Sequence, residues 1–577
     1  MDLNIAPSQH ALKRFFNYLT TEKHALYRIY TYAFVSALIN LSLPLGVQAI
    51  IGFISSGEIS SSWVVLTFLI IIGILVVGFF QILLLTITED IQQRLFAKMS
   101  FEFSYRMPLI KKDALADKFI PELSNRFFDT LTLQKGFSKL LIDLPASVIQ
   151  IIFGLILLSL YHPIFVFFGL ILVVILFLIF KTTGNKGLST SLNESKYKYQ
   201  TAHWLQEIAR NFNIFKLHQK NEFHLTKTNL YVNHYIDYRK KHFKVLLKQY
   251  GSIVGFKAVI TGGLLLLGGI LVIKAKINLG QFVASEIIIL MIMNSCEKLI
   301  LNMENVYDVL TAVEKIGFFN DLPIDQERHS LKKRTAIENI DKLRIEHLTI
   351  KNPYFSGATI KNLTLNINYN DKICIAGKHN SGKSLLLYEL STFPDDIVKK
   401  TSINNVPLIN LDINSLRNQI GNVSQQENIF NGTILENILV GRFFDEKEFY
   451  ALCNSLFLQE FVKKLDQGYD TLLYPGGQGL PAHIIKKICF ARALYNNPLL
   501  VVIDEFNKDL PAHERNEMYD YICSKNQILI AHSDDITFAE KCNRLIIMEN
   551  GECTYDGDWN HFQTLNLDPS KYFRKYA

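Results

Sequence analysis

The sequence predicts two dissimilar parts: a membrane all-α domain of six transmembrane helices with long cytoplasmic extensions, then a C-terminal α/β domain of the P-loop type. Three observations carry this. Hydrophobic residues make up 49% of the 577 residues and charged ones only 20%, below the roughly 25% charged share of average chains, and the apolar excess is uneven along the chain. Residues 377–384 read Gly-Lys-His-Asn-Ser-Gly-Lys-Ser, a complete GxxxxGK[ST] run. From Leu343 the pattern changes from long apolar runs to short strands alternating with helices.

A helix needs about 20 apolar residues to cross a bilayer. Six stretches supply them: roughly 29–54, 63–88, 147–160 with its flanks, 164–181, 253–273 and 281–301. The second and fourth contain long charge-free runs, a poor match to a buried helix of a soluble protein. The fifth and sixth carry Lys257, Glu286, Glu297 and Lys298 at membrane depth, where ionisable groups usually face a cavity or one another. Lys257 and Glu297 are placed to pair near the inner leaflet.

The connections alternate in length. Residues 55–62, 161–163 and 274–280 are short; 89–146 and 182–252 are long, polar and helical in pattern. The long ones hold most of the Lys and Arg, including Arg239-Lys240-Lys241. The positive-inside rule therefore puts them, and both ends of the chain, in the cytoplasm. An integral protein of the cell (inner or plasma) membrane, in contact with lipid, is expected. The helices are expected to run on beyond the bilayer and fold back.

The expected division is 1–320, a charged linker 321–342 containing Pro323 and Lys332-Lys333-Arg334, and 343–577. In the last part, 343–345, 363–367, 372–376, 499–503 and 527–531 read as strands of a largely buried, parallel sheet. Gly377 and Gly382 allow the backbone to wrap a phosphate. Lys378, His379, Asn380 and Ser381 between them offer successive N–H groups, and a helix from Leu385 adds its N-terminus. Lys383 is read as reaching the β and γ phosphates, and Ser384 as offering its hydroxyl to Mg²⁺. ATP or GTP is the implied ligand.

The net charge of +7 has a membrane explanation, and no concentrated basic tract asks for nucleic acid. Six of the seven cysteines lie from Cys374 onward at no metal-ligand spacing, which fits reduced, cytosolic thiols. Residues 1–24 are polar and mixed in charge, unlike a cleavable signal peptide. No peptidase-like segment precedes the first apolar run, so trimming of leader peptides is not expected of this chain.

Six spans, two long cytoplasmic excursions and then a phosphate loop resemble a half-size ABC exporter over nearly the whole length. Further motifs support the likeness. Val501-Val502-Ile503-Asp504-Glu505 is similar to the second nucleotide motif of the family. Val423-Ser424-Gln425, with Ile429 to Ile434 and Glu436-Asn437-Ile438 after it, resembles the Q-loop and its sequel. Ala531-His532 resembles the strand end that carries the switch histidine. Gly476 to Leu480 is similar to a run in exporters of peptides and secreted proteins. Asn278 to Phe282 looks like the approach to the sixth helix, and 207–217 like a coupling segment.

The resemblance implies ATP and Mg²⁺ as cofactors, a dimer with a second half-transporter, and an exported peptide, lipid or amphiphile. It makes Asp504 and Ser384 metal ligands, with Gln425 linking metal or water to the membrane domain. Glu505 becomes the base or water-orienting group and His532 the sensor of the γ-phosphate. Tyr354, displaced past Pro353, is the candidate to stack on adenine.

Two family motifs fail to match. The signature LSGGQ aligns with Leu480-Pro481-Ala482-His483-Ile484, where Pro481 has neither hydroxyl nor N–H and Ala482 and His483 add Cβ atoms. The family's SALD aligns with Lys508-Asp509-Leu510-Pro511. The loop, Glu505 and His532 look competent while the signature does not, so an asymmetric heterodimer is the favoured expectation over a homodimer. A weakly active subunit that regulates or scaffolds a partner is the alternative.

Overall fold

The computed structural model describes residues 7–56, 61–115, 120–325, 335–351, 358–424, 428–505, 510–565 and 568–574. The chain divides into two units, 1–328 and 329–577.

The first unit is helical. Among the described residues, an opening helix, Pro7–Thr21, precedes six that are long and apolar enough to cross a membrane: Lys23–Ile54, Ser61–Leu109, Ile120–Tyr161, Ile164–Arg210, Phe223–Ile273 and Leu279–Asn320. Each of the six apolar stretches lies in one of them. The Ser61–Arg106 helix has 46 residues and the Phe223–Ile273 helix 51. At 1.5 Å per residue they are about 70 Å and 77 Å long, more than twice a hydrocarbon core of about 30 Å. The long polar connections are thus largely continuations of the spans.

The sixth span begins where its sequence says it should. Asn278 Oδ1 accepts from Gln281 N at 2.7 Å, and Gln281 Oε1 accepts from Asn278 N at 2.9 Å, a reciprocal cap of the kind that contributes about 1 kcal/mol. The third span differs most from its sequence reading. Residues 147–160 are the end of a helix that starts at Asp129 and passes through Pro145. Its polar beginning is fixed by packing: Gly136 lies against Val309. Leu133, Phe137 and Leu140 join one apolar cluster with Val313, Ile316 and Phe319.

The outward faces are as apolar as the interior. Val64, Phe68, Leu75, Phe167 and Leu170 are all exposed, which suits hydrocarbon and not water. Polar side chains turn inward and pair. Ser295 donates to Gln150 at 3.0 Å, and Gln249 donates to Thr183 at 2.7 Å and Tyr307 at 2.9 Å. The expected Lys257–Glu297 pair forms at 3.2 Å, with Tyr250 donating to the same carboxylate.

The described residues of the second unit form two sheets and a short ribbon. Strands β1 (Lys342–Lys351), β2 (Ala358–Asn368), β4 (Thr401–Ile403) and β5 (Val406–Pro407) form an antiparallel sheet in the order β2-β1-β4-β5. The larger sheet uses β3 (Lys372–Gly377), β6 (Ile420–Val423), β9 (Leu500–Asp504), β10 (Ile528–His532), β11 (Arg544–Glu549) and β12 (Glu552–Gly557), in the order β12-β11-β3-β10-β9-β6. Only its β11–β12 pair is antiparallel. The strands β7 (Gly432–Thr433) and β8 (Leu472–Leu473) make the ribbon. Ile373, Ile375, Val501, Val502, Leu529 and Ile530 are buried, on both faces, as continuous apolar strands require.

Candidate nucleotide-binding site

Strand order builds the site. β10 lies between β3 and β9 and runs parallel to both. In register, His532 is opposite Asp504 on one side and Ile375 on the other. The carboxyl ends of the three strands therefore emerge side by side, where ligands of open α/β sheets bind. β3 delivers the phosphate loop, β9 delivers Asp504 and Glu505, and β10 delivers His532.

The loop is tight for a stated reason. Gly377 has φ +149° and Gly382 φ +96°, and a Cβ on Gly377 would strike the Met548 carbonyl of β11. Asn380 also has φ +62°, which Asn tolerates better than most residues. The helix after the loop runs from Lys383 to Thr392, two residues earlier than the sequence suggests. Lys378, His379 and Asn380 lie exposed on the rim, while Ser381 and Lys383 are buried. We expect Gly377→Ala to lower ATP affinity at least tenfold, since a left-handed residue costs about 1–3 kcal/mol before the clash is counted. Retained affinity in a nucleotide titration would show that the loop moves freely.

The Lys383 ammonium donates to the Gly377 carbonyl at 2.9 Å, the Lys378 carbonyl at 2.7 Å and Ser381 Oγ at 3.2 Å. Burial pushes its pKa down, against the opposing pull of Asp504 and Asp534. A desolvated cation of this kind favours an incoming anion. Ser384 Oγ donates to Asp504 Oδ1 at 3.0 Å, and His532 Nδ1 stands 3.4 Å from the same oxygen. Ser384 and Asp504 thus put two hard oxygens together at the loop, which fits Mg²⁺, an ion usually held by one or two protein oxygens plus phosphate. Glu505 has φ +70°, a left-handed backbone that turns the chain directly after the strand; non-Gly residues so held gather at functional sites.

Supporting contacts fix these groups. Asp535, three residues after His532, is buried and meets Arg515 Nε at 3.2 Å and Tyr519 OH at 3.2 Å. Thr433 and Glu436 form a capping box, and Asn437 exchanges hydrogen bonds with the Phe430 backbone. Those motif residues are thus accounted for by local folding. Gln425 and Tyr354 lie outside the described residues, as do Lys508 and Asp509. Val423, at the end of β6, pairs with Ile503, the residue before Asp504.

The structure also brings in Glu549, which sequence reasoning missed. It sits at the end of β11, 3.6 Å from Lys378 Nζ and 3.3 Å from Lys571 Nζ. The contact depends on β11 pairing with β3, and no local pattern announces it.

The mismatched signature opens the Ala482–Leu494 helix. Pro481 is its N-cap, with φ −61° and ψ 142° and no side-chain cap. Pro481 and Ala482 are exposed and Ile484 is buried. Further along this helix, Lys487 makes a nearly buried 2.7 Å ion pair with Glu514.

Residues 360–507 match the family model described as ABC transporter. The chain is 23% identical over 337 residues to the transport/processing ATP-binding protein ComA of Streptococcus pneumoniae serotype 4, covering 56% of this chain and 46% of that protein. It is 27% identical over 316 residues to the alpha-hemolysin translocation ATP-binding protein HlyB of Escherichia coli O157:H7, covering 54% and 44%. It is 26% identical over 262 residues to an ATP-dependent lipid A-core flippase of Acinetobacter baylyi, covering 44% of each. The chain thus spans about half the length of the curated relatives it matches. Its fold is similar to a solved bacterial Atm1-family ABC exporter with ATP bound: TM-score 0.84, 15% identity, covering 95% of this chain and 97% of that one.

Proposed function

We infer that this chain, an ABC transporter domain carried on an ABC exporter fold, is one half of an exporter that binds and hydrolyses ATP to move a peptide, lipid or amphiphile across a membrane. The observation that supports this best is the meeting of three strand ends: Lys383 and Ser384, Asp504 and Glu505, and His532 share the carboxyl end of one sheet. Phosphoryl transfer needs mostly positioning and charge stabilisation, and these residues supply it. Lys383 and the loop N–H groups hold phosphate oxygens. Ser384 and Asp504, with Gln425, hold Mg²⁺, which when bound neutralises charge on the phosphates. Glu505 orients water or takes its proton, His532 senses the γ-phosphate, and Tyr354 stacks on adenine. The test is ATP-dependent uptake of candidate cargo by inverted vesicles carrying the chain, with ATP turnover followed in parallel. Turnover or uptake that survives Lys383→Ala would sink this assignment.

The cargo classes come from the family resemblance and from the relatives' names, which speak of a hemolysin, lipid A-core and transport/processing. The membrane half adds one handle. Glu286 and Glu297 are half-buried on the sixth span, and we assign one or both to cargo contact. Glu286→Gln and Glu297→Gln are expected to change transport rates several-fold with little change in yield or unfolding temperature. Transport unchanged in both variants would remove the carboxylates from the pathway.

A second half-transporter is the proposed partner, and Pro481 favours a different chain over a second copy. In that arrangement the partner's intact signature closes over this chain's ATP, and the partner's own ATP meets Pro481, Ala482 and His483. Domain limits near 320 and 343 and cytoplasmic termini belong to the same reading.

A further inference from the structure

Strand register ties a second carboxylate to the phosphate loop. Met548 of β11 pairs with Gly377 of β3 in parallel, so the next residue on each strand, Glu549 and Lys378, leave the sheet side by side. Three groups meet on one carboxylate oxygen. The Tyr572 hydroxyl donates to Glu549 Oε1 at 2.8 Å, and Lys571 Nζ and Lys378 Nζ stand 3.3 Å and 3.6 Å from the same atom. Lys378 is the most distant of the three, and its side chain is 56% exposed. The Lys378 backbone is held separately, because its carbonyl accepts from Lys383 Nζ at 2.7 Å. One residue is thus tied to the phosphate-binding lysine by its backbone and to Glu549 by its side chain.

The segment that supplies Lys571 and Tyr572 is itself fixed. Asp568 caps the Pro569–Lys571 turn by accepting from the Ser570 N–H at 3.0 Å. Tyr572 and Phe573 are buried beside Phe562 and Trp559. The Arg574 N–H then donates to the Asp534 carbonyl at 2.7 Å, and the Ile536 N–H donates to the Arg574 carbonyl at 3.1 Å. Both bonds reach the stretch that directly follows His532. One short segment therefore touches the neighbourhood of the phosphate loop with its side chains and that of the switch position with its backbone.

We propose that Glu549 is a positioning residue of the nucleotide site: its carboxylate competes with an incoming phosphate for Lys378, and Tyr572 sets how strongly it competes. This rests on the phosphate-loop reading given above. ATP draws the Lys378 ammonium from the carboxylate to phosphate oxygens. Glu549 keeps Tyr572 and Lys571 as partners, so the departure of Lys378 leaves its charge still satisfied. The charge environment agrees. The hydrogen bond from Tyr572, then that from Lys571, hold the Glu549 carboxyl below its ordinary pKa, with the charge of Lys378 adding to them. Because the segment carrying Tyr572 is bonded to the stretch after His532, a movement of that stretch alters the hold on Lys378.

The test is equilibrium titration of the purified full-length chain in lipid with trinitrophenyl-ATP, without Mg²⁺, so that binding is read and turnover is not. Glu549→Gln should tighten Kd by about two- to five-fold, the size of an exposed ion pair. Tyr572→Phe changes no charge and should loosen Kd, because the carboxylate then holds Lys378 more firmly. Both shifts should vanish in a Lys378→Met background, which a double-mutant cycle reads directly. A merely structural Glu549 predicts the opposite sign, so looser binding with a lower unfolding temperature in Glu549→Gln overturns the proposal. An effect of Glu549→Gln that persists in Lys378→Met overturns it too, since the carboxylate then acts through its general field. Lys383→Ala separates the two readings. Probe binding unchanged in that variant overturns the site and this proposal with it, whereas binding lost there with Glu549→Gln inert overturns the proposal alone.

Discussion

Replacing Glu505 with Gln is expected to lower ATP turnover of the purified chain in lipid by about 10²–10⁴-fold, the usual contribution of a positioned general base. Binding of ATP should stay near wild type, because the groups assigned to phosphate are Lys383 and the loop N–H groups. The substitution keeps size and shape and removes only the charge. It also leaves the backbone demand unchanged, since Gln and Glu meet the φ +70° of position 505 alike. Turnover present in the wild type and lost in the variant means the mismatched signature is tolerated and the chain pumps by itself. Turnover absent from both moves the weight to an obligate partner, and adding that partner should then raise activity sharply. Turnover equal in both removes Glu505 from the chemistry.

Rebuilding the signature is expected to have an effect of similar size in the other direction. Hydrogen bonds to charged groups are worth about 1.5–3 kcal/mol each, so two missing ones weaken closure by roughly 3–6 kcal/mol, or on the order of 10²–10⁴ in the closure equilibrium. Pro481→Ser with Ala482→Gly and His483→Gly returns a hydroxyl and bare backbone to the helix start. Ile484 should be kept: it is 3% exposed, and a polar group there would lose its water. Pro481→Ser alone is expected to raise stability by about 1 kcal/mol, because position 481 is an uncapped N-cap. The triple variant should raise ATP turnover of the chain alone. If turnover is unchanged while the helix is intact, the signature does not limit this chain.

What was legible in the sequence was what is local. The glycines and lysine of 377–384, the acidic pair after 500–503 and the histidine after 528–531 each sit at a strand end that apolar pattern alone marks. The exporter-like order of these motifs, and the six spans, could be read in the same way. Pattern could not give the strand order that places β10 between β3 and β9, and so could not show that His532 and Ser384 meet on one carboxylate oxygen. Glu549 was hidden for the same reason. The third span was read too short because Gly136 and Ser138 look like surface until Val309 and Gln92 are seen against them.

The paired helices Ile164–Arg210 and Phe223–Ile273 act, in mechanical terms, as a lever. They pack along one another and are joined by a short connection containing the Phe212–Leu217 helix. Each exceeds 45 residues, so each arm is about 70 Å or more from end to end. A tilt of about 5° about one end would displace the other sideways by roughly 6 Å, more than half the spacing of about 8–10 Å between packed helices. Side chains facing the bilayer on such an arm need not rearrange individually to change what they face. A small angular change at the connection is geared up into a sideways displacement of several ångströms at the far end, so stiffness, more than any single contact, is the property these two helices must preserve.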